Sequence, residues 1–220
     1  MENQSNVRRK SAWLDQGDDL SRVLALSDAI FAFALTLLAV DLDVPAIASN
    51  LVSQELPREI LALTPKFFVF ALAFYLVIVK WMAHRRIFQH IVRYDSTLLW
   101  INNYFLLFIA FMPVPTAVLG RYPTEPAALI FFGVTQIVTT AVQWVLWLYA
   151  TRNHHFTDET IDDEMIRFFS RRYLLQILAL AAFTVIAVFN VLVALVLLIA
   201  IGIGFQVYVS YQRNRHSFAS

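Results

Sequence analysis

The chain contains no cysteine, which excludes disulfides and thiolate-bound metal. Charge is scarce too: Asp, Glu, Lys and Arg make up 15% of the residues, against about a quarter in soluble domains. Five glycines and seven prolines among 220 residues argue against a collagen-like repeat or a disordered chain. No glycine-rich phosphate loop, nucleophile elbow or helical metalloprotease motif occurs, so neither enzymatic activity nor a cofactor is expected. The formal net charge is +1 and no basic face interleaves with aromatics, so a nucleic-acid partner is not expected.

Apolar residues are abundant, at 59% of the chain. Six apolar segments can be drawn, approximately 20–42, 62–83, 97–118, 127–150, 173–190 and 192–211. A bilayer span needs about 20 such residues, so the class is an all-α integral membrane protein. The last two segments form one run from Tyr173 to Val209. At about 1.5 Å per residue a single helix of that length overshoots a core about 30 Å thick, so a break is expected at Asn190. Five spans is the fallback. Residues 1–19 are polar, with no apolar core and no small-residue cleavage site. They read as an N-terminal segment rather than a cleavable signal, with the helix near Ser21 serving as the targeting signal. The expected division is 1–19, a six-helix domain over 20–212, and a tail from 213 to 220. Loops are short except 43–61, 84–96 and 151–172, and the last of these reads as a solvated amphipathic helix approaching the fifth span.

With the N-terminus inside, the internal segments hold Arg8, Arg9, Lys10, Arg22, Lys80, Arg85, Arg86 and Arg93. They also hold Arg152, Arg167, Arg171, Arg172, Arg213 and Arg215, whereas the external ones hold only Arg58, Lys66 and Arg121. This bias places both termini in the cytoplasm.

The first span carries the chemistry. Ionisable groups at bilayer depth are costly and face a partner or a water-filled path. Arg22 suits an interfacial anchor that snorkels to the headgroups. Asp28 lies nearly two turns deeper and needs a partner. Candidates at similar depth are Lys80, Trp81 and His84 near the end of the second span, and Asn102 and Asn103 near the start of the third. A structural polar clasp and a proton relay through Arg22, Asp28 and His84 have the same sequence signature. On the same helix Ala25, Ala29, Ala32, Thr36 and Ala39 form a stripe of small residues, beside a bulkier stripe of Phe33, Leu37 and Val40. Small stripes let membrane helices approach closely. On an axis shared by several subunits the bulky stripe stacks into apolar rings that gate by dewetting; otherwise both stripes are packing and lipid-facing surface.

Elsewhere the signals are weaker. His154 and His155 stand near acids but lack the i, i+4 spacing that aims two imidazoles from one helix face, so no metal is expected and a solvated loop is the reading. A membrane enzyme built on that loop is the rival from another class. No Thr-Val-Gly-Tyr-Gly filter is present, so potassium selectivity cannot rest on that carbonyl cage.

Arg22 followed by Leu26-Ser27-Asp28 resembles the mark of the transmembrane protein 175 family, an arginine followed by Phe-Ser-Asp in the first helix. Leucine replaces the usual phenylalanine here. Asp41-Leu-Asp-Val-Pro45, the Trp81, His84, Arg85 and Phe88 run, and the asparagines opening the third span with Pro113 at its end also fit. The family comprises the lysosomal potassium channel and its prokaryotic relatives. The resemblance implies a homotetramer of six-helix subunits in a prokaryotic plasma membrane, with first helices lining a central potassium-permeable pore. It puts the apolar constriction at Phe33, Leu37 and Val40, and matches Thr36 to a threonine layer tied to selectivity. It places Arg22, Ser27 and Asp28 outside the pore, bonded to Trp81, His84 and Asn102 or Asn103. The constriction is ordinarily aliphatic, so four Phe33 rings imply a tighter block.

Overall fold

The computed structural model describes residues 2–40, 42, 46–152, 156–158, 161–202 and 204, with side chains from Leu20 onward. His154, His155, the Asp41 and Asp43–Pro45 positions, and the tail with Arg213 and Arg215 lie outside the described residues.

The first helix, α1, runs Glu2–Leu37. It begins well before the position expected near residue 20, because no proline interrupts the polar N-terminal stretch. It stops at Leu37, and Leu38–Val40 continue as a turn in which Ala39 and Val40 bond three residues back. Helix α2, Val52–Ala62, occupies part of the expected loop 43–61 and buries none of its residues. One residue separates it from α3, Thr64–Gln89, which has proline in its first turn, a position where the missing N–H costs little.

Helix α4 spans Ser96–Phe111 and α5 spans Pro113–Arg121. Pro113 has no N–H to extend α4, so the third apolar segment breaks at Met112 and resumes. Asp95 caps α4 by accepting from Leu98 N at 2.8 Å. Its other carboxylate oxygen accepts from the Tyr149 hydroxyl at 2.7 Å. Slight desolvation pushes the Asp95 carboxyl up, and the hydrogen bonds from Tyr149 and from the Leu98 and Thr97 backbone outweigh it, leaving it below the usual carboxylate range.

Helix α6 is Pro126–Ala150 and α7 is Asp163–Phe189. The amphipathic helix expected before the fifth span and the span itself are thus one continuous helix, capped by Asp162, which accepts from Met165 N at 2.7 Å. The chain breaks at Asn190, whose backbone is extended and whose side chain accepts from Val193 N at 3.1 Å. That bond caps α8, Val191–Gly202.

Among the described residues five segments are long and apolar enough to cross a membrane: Leu20–Leu37, Thr64–Gln89, Ser96–Arg121, Pro126–Ala150 and Asp163–Phe189. Helix α8 is apolar but shorter. The main core joins Phe31 and Ala34 of α1, and Leu38 just past its end, to Val77, Phe105, Ile109, Phe132, Phe183 and Leu198. Helix α6 runs at its centre, packed on α7 and α4. Gly133 permits the closest approach to α7: a Cβ there meets a Phe183 ring carbon at 2.9 Å and lies closer still to the Thr184 hydroxyl. Leu175, Leu178, Val185 and Val188 point outward from α7, as lipid contact requires. A second cluster around Ile87, Leu98, Leu146 and Trp147 closes the other end of the bundle. There the α3–α4 and α6–α7 connections pair through Ile91 and Thr157, and His90 Nδ1 meets Asp158 at 3.5 Å.

Candidate functional site: the two faces of the first helix

Ser27, Phe31 and Ala34 recur at intervals of four and three, so they share one stripe of α1 and are its buried face, which Leu38 extends by one residue past the helix end. Ser27 is 0% exposed, and its hydroxyl donates to the Val23 carbonyl at 2.8 Å. Asn102 of α4 donates to the Ser27 oxygen at 3.4 Å and accepts from His84 Nε2 of α3 at 2.8 Å. This places the imidazole proton on Nε2. The ring lies nearly parallel to Phe105, with centroids 5.5 Å apart, and tilts against Phe31 at 5.7 Å. A polar chain from α1 through α4 to α3 is thereby enclosed in aromatic side chains.

Asp28, next along α1, accepts from Trp81 Nε1 at 2.8 Å. Arg85 stacks its guanidinium over the same indole at 5.8 Å. These residues and His84 line a groove of about 390 Å³ beside α1 and α3, with Leu24, Phe88 and Gln89.

Three candidates fall outside this network. Arg22 is exposed and bonds to none of these residues among the described ones. Six residues separate it from Asp28, about 9 Å along the helix and a different face. Asn103 is exposed, because adjacent helix residues point about 100° apart and Asn102 takes the inward direction. Lys80, a possible partner for Asp28, bonds instead to Thr140 of α6. The sequence signal passed over was on α6 itself, where Gln136, Thr140 and Gln143 repeat at four and three to make a polar stripe.

The opposite face of α1 is uncovered. Ala25, Ala29, Ala32, Thr36 and Ala39 are exposed, Phe33 is 62% and Val40 70% exposed, and Leu37 is half-buried. Thr36 donates its hydroxyl to the Phe33 carbonyl at 2.8 Å, leaving oxygen lone pairs outward. Val40 lies in the turn beyond the helix rather than on it. Among the described residues no group of three His, Asp or Glu side chains is placed to hold a metal.

The sequence model of a family described as endosomal/lysosomal potassium channel TMEM175 matches residues 22–113, the stretch that carries this network. A potassium channel of Streptomyces collinus is 31% identical over 150 residues, 66% of this chain and 71% of the relative. The chain belongs to the TMEM175 family. A potassium channel of Chamaesiphon minutus is 28% identical over 158 residues, 70% of this chain and 77% of that one. The TMEM175 of Gallus gallus, named an endosomal/lysosomal proton channel, is 28% identical over 157 residues. The chain spans only 31% of that longer relative. The crystal structure of a lysosomal potassium-selective channel TMEM175 homologue from Chamaesiphon minutus superposes with a TM-score of 0.75. It covers 87% of this chain and 98% of its own at 24% identity, so the two share the TMEM175 fold. This member of the TMEM175 family is accordingly a multi-pass membrane protein of an ion-channel family.

Proposed function

We propose that four copies of this chain assemble into a potassium-permeable channel, with the first helices around a central pore and Phe33, Leu37 and Val40 as the apolar constriction. The observation that carries this reading is the division of α1 into a face bonded to α3 and α4 and a face that nothing covers. Only 17% of its span is buried within the chain. A helix pinned on one side by Ser27, Asp28, Trp81, His84 and Asn102 has its free face held in a constant direction, which a pore wall needs. Rings of Phe33 and Leu37 then form a dry barrier whose width sets conduction, and Thr36 offers outward oxygens near it. The permeant ion is potassium, and no resident cofactor is involved. The bacterial relatives bear the name potassium channel, which supports the same reading.

In this reading α8 and its continuation form the sixth span, residues 1–19 and 213–220 lie in the cytoplasm, and the membrane is a prokaryotic plasma membrane. The bias of Lys and Arg along the sequence supports that orientation.

The deciding experiment is ion flux from liposomes under potassium and sodium gradients, native chain beside Phe33→Ala. Potassium-favouring flux that rises and loses preference in the variant is expected. Unchanged flux and ion preference in a folded variant sink the constriction.

A second reading is proton conduction, with Arg22, Asp28 and His84 as carriers. Animal relatives are named proton channels, which is why it is kept. Potassium-independent proton flux, abolished by His84→Phe, would favour it. Persistence of potassium flux in that variant separates the two.

A further inference from the structure

Lys80 is a buried basic side chain that neither α1 nor the pore reading uses. It lies within α3, nine residues before the helix ends at Gln89, and is 3% exposed. Its Nζ donates to Thr140 Oγ1 at 2.8 Å, and that hydroxyl donates onward to the Gln136 carbonyl at 2.8 Å. Gln143 donates from Nε2 to the Lys80 carbonyl at 2.9 Å, which ties α6 to α3 at this level. Gln136, Thr140 and Gln143 are all buried and share the stripe facing Lys80.

The stripe contains no acid. Within the described spans the one carboxylate beyond the first turn of α7 is Asp28, already bonded to Trp81. Trp81 follows Lys80 in sequence and so leaves α3 about 100° round the helix. An ammonium has three N–H donors and no acceptor, and Thr140 takes one of them. Gln136 Nε2 is buried with no partner. The Gln136 and Gln143 side-chain oxygens are the neutral acceptors left on the stripe, so an unmet N–H and, more so, an uncompensated charge remain costly in this water-poor layer. What balances both is a small negative acceptor. Since α3 and α6 are bonded to each other here, the class that fits is a monatomic anion.

We propose that Lys80, Thr140 and Gln136 form an internal site for chloride or a like halide in each subunit. The anion accepts from the Lys80 ammonium and the Gln136 amide and neutralises the charge inside the bundle. The site lies on the α6 side of α3, away from the exposed face of α1, and stands whether or not that face lines a pore.

Bromide is the probe. Crystals of the full chain grown in potassium bromide are expected to show an anomalous peak in contact with Lys80 Nζ. In detergent, Tm is expected to rise with bromide over gluconate at equal ionic strength, by about 5 °C at a hundredfold excess over Kd. Lys80→Met removes both effects. If that variant does not fold, Gln136→Leu keeps the lysine and must weaken the bromide dependence. A halide-independent Tm with no peak, the result expected if water alone meets these donors, overturns the proposal. So does a peak or bromide dependence that survives Lys80→Met.

Discussion

The hydrogen bond between His84 and Asn102 can be weighed directly, because both residues are 1% exposed. Asn102→Leu removes the acceptor 2.8 Å from His84 Nε2 and strands the ring N–H. A buried donor left unmet costs about 1–3 kcal/mol. Ser27 loses only a 3.4 Å contact and keeps its bond to Val23, so it adds little. His84→Phe preserves a ring against Phe105 but strands the Asn102 carbonyl instead, with a similar cost. The double variant carries neither orphan. It should be less destabilised than the sum of the single variants, by about 1–2 kcal/mol. Interhelical hydrogen bonds in membranes average about 0.6 kcal/mol and reach about 1.7, so this pair is placed near the top of that range. Its enclosure by Phe31, Phe88 and Phe105 is the reason. Reversible unfolding in mixed micelles titrated with dodecyl sulfate, followed by tryptophan fluorescence, gives all four stabilities. Additivity within about 0.5 kcal/mol would refute the reasoning, since it means each group finds another partner once its mate is gone.

Gly133→Val should destabilise by about 1–3 kcal/mol in the same titration, because the new side chain collides with Phe183 and Thr184 of α7. Gly204→Ala, whose Cβ meets nothing within 4 Å, is the matched control and should be neutral. Asp95→Ala removes the α4 cap and the Tyr149 partner, with an expected loss of about 1 kcal/mol at pH 7. The folded Asp95 carboxyl lies below its unfolded value. Its ionic contribution is therefore complete above about pH 4 and fades as pH falls through the folded value. The stability gap between native and variant should narrow below about pH 4 in thermal melts; a gap that does not change with pH would mean the charge plays no part.

Several features were legible in the sequence alone because they depend on local chemistry. Long apolar runs can satisfy their backbone in a bilayer only as helices, so the membrane class followed from composition. Asn190 was readable as a break since it was the one strongly polar residue near the middle of a run too long for a single span, and it caps α8 as a side-chain oxygen can. The two outward stripes of α1 followed from helical periodicity. The arginine–Ser27-Asp28 pattern pointed to the family. Other features depended on which surfaces meet. Adjacent asparagines are equivalent in a sequence, and only the packing of α4 against α1 and α3 turned Asn102 inward and left Asn103 outside. Lys80, Trp81 and His84 stood as equal candidates for Asp28 until the rotation of α3 assigned Trp81 to Asp28, His84 to Asn102 and Lys80 to α6. Hydrophobic spacing determines that a face is buried; the partner it meets is set by the relative rotation of helices distant in sequence, which only the tertiary structure decides.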